Sequence, residues 1–243
     1  LVLTELQPGI RGSMKVSSKA CSNIIINLND SINTLPENCV YIDMPIGNYS
    51  DCSILPSCGL VSEKGSIGRF DKPSSFYYPE KINAQLLWFY NGYIEYKFPY
   101  EGLKNKKINM LEVSIEMCSE APHYKNDWPS DITMWINDIE VGTWTSPGDF
   151  WGRRGRNNPQ WWPDTINQYG LLKYWRVNST GTYVDDLKLS DKTIDDFNVE
   201  TNDFISVKFG IKENAKNIGG ISIFGKSFGD YPQDIIMKIE YSK

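Results

Sequence analysis

Apolar and polar residues alternate with a period of two at several places along this 243-residue chain. Within residues 108–117, Leu111, Val113, Ile115 and Met117 alternate with Glu112, Ser114 and Glu116. Ile205, Val207, Phe209 and Ile211 alternate with Ser206, Lys208 and Gly210, and Ile235, Met237, Ile239 and Tyr241 with Ile236, Lys238 and Glu240. Successive side chains of a strand point to opposite faces, so each pattern predicts a strand with one buried and one wetter face, the habit of antiparallel sheets. Residues 85–90, 93–98, 171–177 and 221–224 read as further strands, and Asn91-Gly92 between the first two predicts a two-residue hairpin turn. Helical periodicity is nearly absent. The expected fold is all-β: an antiparallel β-sandwich, jelly-roll or galactose-binding-like, with little helix.

Strong alternation begins near Gln85, whereas Pro36, Pro45, Pro56, Pro73 and Pro79 break up the chain before it. Residues 1–80 therefore read as a lead-in segment of edge strands and covering loops. Residues 81–243 read as the β-sandwich domain, and the two are expected to form one compact unit. Within residues 131–144, a two-residue turn at Asn137-Asp138 sets Ile136 opposite Ile139. Ile132, Met134, Ile136, Ile139 and Val141 then share the core face, and Thr133, Trp135, Glu140, Gly142 and Trp144 the other. Two tryptophans on the face that ought to be polar are either covered by another layer or left to a ligand.

About 26 residues without periodicity follow, from Thr145 to Gly170, and loops of that length inside a domain are commonly functional. This one carries Phe150, Trp151, Trp161 and Trp162 among Arg153, Arg154 and Arg156. Arginine stacks on aromatic faces and bonds carboxylates bidentately. Trp135, Trp144, Asp149, Arg153, Arg154, Trp161 and Trp162 are thus the candidate ligand-binding residues, forming an aromatic-walled pocket for a small polar ligand such as a sugar or sugar acid. The competing expectation is that the loop folds across the outer face and its tryptophans form a second small core, with the arginines paired to Asp149, Asp164 or the acidic segment.

Charge and composition narrow the classes. The net charge is −5, and residues 185–203 hold seven acidic residues against two lysines, which accounts for all of it. An acidic chain does not grip nucleic acid by its overall field. No apolar run approaches a membrane span, no secretory leader is read at the N-terminus, and a cytoplasmic location is expected. Five cysteines (Cys21, Cys39, Cys52, Cys58 and Cys118) are too few and irregular for a disulfide framework and lack zinc-ligand spacing, so they are expected as buried free thiols. The acidic run matches no fixed calcium-ligand spacing. His123, the single histidine, has no nucleophile motif beside it and reads as a solvated loop residue. No catalytic residue, metal or cofactor is assigned, and no enzyme activity is expected.

Several segments together resemble a known family. They are Cys58-Gly59-Leu60, Leu86-Leu87-Trp88-Phe89 with Gly92-Tyr93-Ile94-Glu95-Tyr96, Cys118-Ser119-Glu120-Ala121-Pro122 and Asp127-Trp128-Pro129-Ser130-Asp131-Ile132. The likeness continues through residues 144–150, Arg153-Arg154-Gly155, Gln168-Tyr169-Gly170, Gly219-Gly220 and residues 228–235. Over roughly residues 40–243 the chain resembles the C-terminal β-rich region of bacterial ArsR-like transcriptional regulators, where a winged helix-turn-helix precedes it. The resemblance implies a non-catalytic effector-sensing domain, compatible with a homodimer, that meets DNA only through a helix-turn-helix absent from this chain. The alternatives are a stand-alone carbohydrate-binding β-sandwich module and a hydrolase with its site in the 145–170 loop.

Overall fold

A computed structural model describes the backbone of Ser13–Ser17 and Asn23–Asn27, and residues 38–242 apart from 101, 102, 104 and 201. The chain divides into two units, Leu1–Glu37 and Asn38–Lys243. In the first, β1 (Ser13–Ser17) and β2 (Asn23–Asn27) form an antiparallel pair with Ser13 opposite Asn27. Cys21 lies outside the described residues.

The second unit is an antiparallel β-sandwich. Its strands are β3 (Cys39–Met44), β4 (Asp51–Ser62), β5 (Gly65–Ile67), β6 (Ala84–Pro99), β7 (Lys107–Cys118), β8 (Ser130–Ile136), β9 (Ile139–Ser146), β10 (Leu171–Asn178), β11 (Gly181–Val184), β12 (Leu187–Ser190), β13 (Phe204–Ile211), β14 (Ile221–Phe224) and β15 (Ile235–Ser242). Three short 3₁₀ turns, Pro73–Tyr77, Pro79–Asn83 and Ile194–Phe197, are the helical elements among the described residues. All-β architecture with helix confined to turns is what the alternation predicts.

Two long strands organise the sandwich. Along one side β6 pairs with β4, and along the other first with β14 and then with β13, which continues to β8 and β9. One side of β7 takes β10, leading on to β11 and β12, and the other takes β15 and then β14. Thus β14 is shared by β6 and β7 and joins the two layers at one end. Between the layers lie Leu111, Val113, Ile115 and Met117 of β7, Ile205, Val207 and Phe209 of β13, and Met237 and Ile239 of β15. These are the residues that the period-two pattern assigns inward. Burying each such side chain contributes roughly 1.5–3 kcal/mol.

Two local expectations are corrected. Asn91-Gly92 is not a hairpin turn: β6 runs unbroken from Ala84 to Pro99 because β4 pairs with it on both sides of the Asn-Gly step, Leu55 opposite Asn91 and Cys58 opposite Phe89. Gly92 has φ +113°, and any Cβ there would sit 1.8 Å from the Ser53 carbonyl oxygen, so the glycine serves close strand contact within a longer strand. The second correction concerns the β8–β9 hairpin. Its turn lies at Asn137-Asp138 as expected, with Ile136 opposite Ile139 and Trp135 opposite Glu140. A β-bulge then shifts the register, and Ile132 faces Trp144. Trp144 accordingly packs against the main core while Trp135 stays on the outer face.

The outer face around β14 carries a second apolar cluster of Val61, Leu86, Cys118, Trp162, Phe224 and Phe228, with Trp88, Phe150 and Ile166 packed against it. The 145–170 loop supplies three of these residues and covers the face. Of the loop's tryptophans only Trp162 joins this second core; Trp151 and Trp161 are exposed.

Candidate ligand-binding site

At the edge of this covering layer lies a pocket of ≈190 Å³. Its apolar walls are Phe70, Trp88, Trp162 and Ile166, and its polar groups are Glu120, Asp149, Asn167 and His123. The Trp88 ring centroid is 5.1 Å from that of Phe70 and 6.3 Å from that of Trp162, so three rings form a continuous wall. Gly59, opposite Trp88 in the β4–β6 pair, makes the packing possible. A Cβ on Gly59 would come within 2.3 Å of the Trp88 ring and 2.9 Å of Phe70.

Glu120 lies two residues beyond the end of β7, and its backbone is fixed from both sides. Its N–H donates to the Gly219 carbonyl at 2.7 Å, and its own carbonyl accepts the Trp128 indole N–H at 3.0 Å. The carboxylate is buried, and the Ser57 hydroxyl lies 2.9 Å from each of its oxygens. Burial pushes the Glu120 carboxyl up to about 7; the Ser57 hydrogen bond works against this and the nearby Asp71 charge with it.

Asp149 is set by an antiparallel backbone bridge to Lys125, with N–H to O distances of 2.7 and 3.1 Å. One carboxylate oxygen accepts the Ala121 N–H at 3.1 Å, and the other is 3.5 Å from Cys118 Sγ. Burial raises this carboxyl to about 8, against the hydrogen bonds from Ala121 and Cys118, and the Glu120 charge adds to the rise. Asn167 donates to Ser222 Oγ at 3.3 Å, and its carbonyl accepts the Trp162 indole N–H at 2.8 Å. His123 is exposed at φ +68° on the rim.

Of the seven residues expected at the site, Asp149 and Trp162 line this pocket and five do not. Trp161 stands beside it, 39% exposed, edge-on to Trp162 with its indole N–H on the Glu63 carbonyl at 2.6 Å. Arg153 stacks over the Tyr169 ring at 3.9 Å and forms an ion pair with Asp230. Despite its burial, the Asp230 carboxyl is held below the usual range by Arg153 and by the Arg156 N–H. Arg154 is paired with Asp164 and donates to the Trp162 carbonyl at 3.1 Å. Arg154 therefore holds the loop's own shape, and Arg153 ties the loop to Asp230. Trp144, half-buried, packs against the core with Lys173 over its ring at 4.7 Å, and Trp135 lines a separate depression with Tyr93 and Lys208. The hairpin face and the loop do not meet in a shared pocket.

The sequence reading missed Glu120, Phe70 and Trp88. A signal was present for the first: Glu116 and Cys118 at the end of β7 and Glu120 just beyond it are spaced by two in the sequence, and all three are buried. Glu116 is anchored differently. It accepts N–H bonds from Gly170, Asp230 and Tyr231 at 2.9–3.0 Å, which partly offset the burial that raises its carboxyl to about 7. The cysteines described, Cys39, Cys52, Cys58 and Cys118, are free thiols, and all but Cys39 are buried. Among the described residues, no group of His, Cys, Asp and Glu could hold a metal ion. No helix among them is long and apolar enough to cross a membrane.

No protein-family model matches the chain, and no curated protein matches it. Among solved structures it is similar to a carbohydrate-binding module, CBM36, in complex with calcium and xylotriose, at 10% identity and a TM-score of 0.32 over 84% of this chain and 99% of that one. It is also similar to CBM51 from Clostridium perfringens GH95 in complex with methyl-galactose (12% identity, TM-score 0.33, 82% and 99% covered). A third is the C-terminal CBM6 of LamC from Zobellia galactanivorans (9% identity, TM-score 0.31, 84% and 99% covered).

Proposed function

We propose that this chain is a carbohydrate-binding β-sandwich that holds one small sugar, without cleaving it, in the Trp88–Trp162 pocket. The observation that carries this reading is the pocket's make-up: a wall of three aromatic rings facing a few buried polar groups. Flat apolar rings match the C–H faces of a sugar, and Glu120 and Asn167 offer hydrogen bonds to its hydroxyls. At ≈190 Å³ the space falls below the roughly 300 Å³ at which sites for drug-sized ligands begin, which fits a single ring.

Binding is favoured over hydrolysis by the state of Asp149. Glycoside hydrolysis commonly needs one carboxyl to donate a proton and a second, ionised one to act as base or nucleophile. Both Asp149 oxygens already have partners in the protein, the Ala121 N–H and the Cys118 thiol, so neither is free to act on a glycosidic bond. A role as the sensing half of a regulator, which the sequence resemblance implies, would use the same pocket for its effector.

Titrating monosaccharides while following tryptophan fluorescence tests the proposal. Saturable quenching in the wild type that is lost in Trp88→Ala is expected. No response to any monosaccharide, or an unchanged response in Trp88→Ala, overturns it.

A further inference from the structure

We propose that the pocket selects a sugar carrying a protonated amine over neutral and acidic sugars, with Glu120 as the group that receives the ammonium. This rests on the sugar-binding reading and narrows its substrate class.

The argument begins with charge. Two carboxyl side chains, Glu120 and Asp149, line the pocket, and Asp71 acts on Glu120 from β4's side. Neither lysine nor arginine lines it. The nearby cations have other partners: Arg153 binds Asp230, Arg154 binds Asp164, and Lys125 lies 4.1 Å over the Trp128 ring. Arg69 and Lys72 flank Phe70 and Asp71 in sequence without lining the pocket, and the basic group that does line it is His123, exposed at the rim. Buried carboxylates ordinarily have a cationic partner or a full set of hydrogen bonds.

Comparison with Glu116 shows which requirement is unmet. Glu116 is buried too, but three backbone N–H groups fill its acceptor sites. Among the described residues, the hydrogen bond to the Glu120 carboxylate comes from one hydroxyl, that of Ser57, shared between both oxygens. A carboxylate offers about four acceptor positions, so most of Glu120's capacity is open on the side that lines the pocket. An ammonium, with three donors and no acceptor, is the complement.

The aromatic wall points the same way. The faces of Phe70, Trp88 and Trp162 are the negative ends of their ring quadrupoles and attract a cation within about 6 Å. A sugar acid would instead place a third carboxylate beside Glu120 and Asp149. The upward displacement of both carboxyls, with Asp71, His123, Ser57 and Asn167 as the groups facing them, accords with a site that lacks its counter-charge. An entering ammonium would pull Glu120 toward its ionised form and release a proton.

Calorimetric titration of the full chain at pH 7 with glucosamine, glucose and glucuronate tests this. Glucosamine is expected to bind about tenfold more tightly than glucose, about the effect of one charge-assisted hydrogen bond, and glucuronate more weakly than either. In Glu120→Gln, glucosamine should fall to the glucose level while glucose changes little. In Asp71→Asn, which tolerates the φ of +58° found there, the preference should shrink several-fold. Equal binding of glucose and glucosamine, or a preference that survives Glu120→Gln, overturns the charge assignment and leaves the sugar pocket standing. Absence of binding by all three sugars to a chain with a cooperative melt overturns both.

Discussion

The Ser57 hydroxyl is shared between the two oxygens of Glu120, 2.9 Å from each, and joins β4 to the segment after β7. Losing one such bond costs about 0.5–1.5 kcal/mol on average, more if the carboxylate stays buried and ionised. Ser57→Ala is therefore expected to lower stability by about 1 kcal/mol and to raise the Glu120 carboxyl further. Glucosamine affinity at pH 7 should then fall several-fold while glucose affinity changes little. Urea denaturation and fluorescence titration check both effects.

The tryptophans should separate sharply. Trp162→Ala removes a ring buried in the outer cluster and is expected to cost about 3–5 kcal/mol. Trp161→Ala and Trp135→Ala remove partly exposed rings and should cost about 1 kcal/mol or less, and Trp135→Ala should leave sugar binding unchanged. Denaturation midpoints across the three variants provide the check.

Gly59→Ala would place a Cβ 2.3 Å from the Trp88 ring. The ring must move into the pocket, so sugar binding should be lost at a modest cost in stability, about 1–3 kcal/mol. Binding at wild-type affinity would show that Trp88 is not part of the wall that the ligand meets.

Stability should rise on mild acidification. Glu116 and Glu120 are raised from 4.5 to about 7 and Asp149 from 3.8 to about 8, so the folded state binds protons that the unfolded chain releases between those limits. Their contribution is fully present near pH 4 and is lost as the pH climbs through 7 to 8. Asp131 and Asp230, held below 3.8 in the fold, act in the opposite sense but only at lower pH. The melting temperature is expected to be several degrees higher at pH 5.5 than at pH 8.5. Glu120→Gln and Asp149→Asn should each flatten the slope in thermal melts across that range.

What was legible in the sequence follows from the range of each interaction. Leu111, Val113, Ile115 and Met117 reveal their strand because period-two burial is local. The Asn91-Gly92 hairpin fails because β4, some 35 residues earlier, pairs across it and holds the chain extended. Trp135 and Trp144 appear to share a face until one bulge residue in β9 inverts everything beyond it, and nothing in the local pattern announces a bulge. The 145–170 loop is visible as an aromatic-rich stretch, yet which of its residues meet a ligand depends on anchors elsewhere: Glu63, Glu116, Asp230. Phe70 and Trp88 reach the site from β4's and β6's side of the sheet, a proximity that only the fold creates.

Glu116 carries a consequence for how this domain can diversify. Its three donors are main-chain amides at Gly170, Asp230 and Tyr231, so these bonds call for no particular donor side chain, although a Cβ on Gly170 would meet the Met117 backbone at 2.9 Å. The Arg153–Asp230 ion pair and the Asn158 side-chain oxygen on the Gly229 N–H hold the same two loops together. Of the pocket-facing residues on the long loop, Ile166 and Asn167 take no part in this attachment and can be exchanged while it holds, whereas Trp162 is tied to the outer cluster. The scaffold is suited to a repertoire: one fastening, many recognitions.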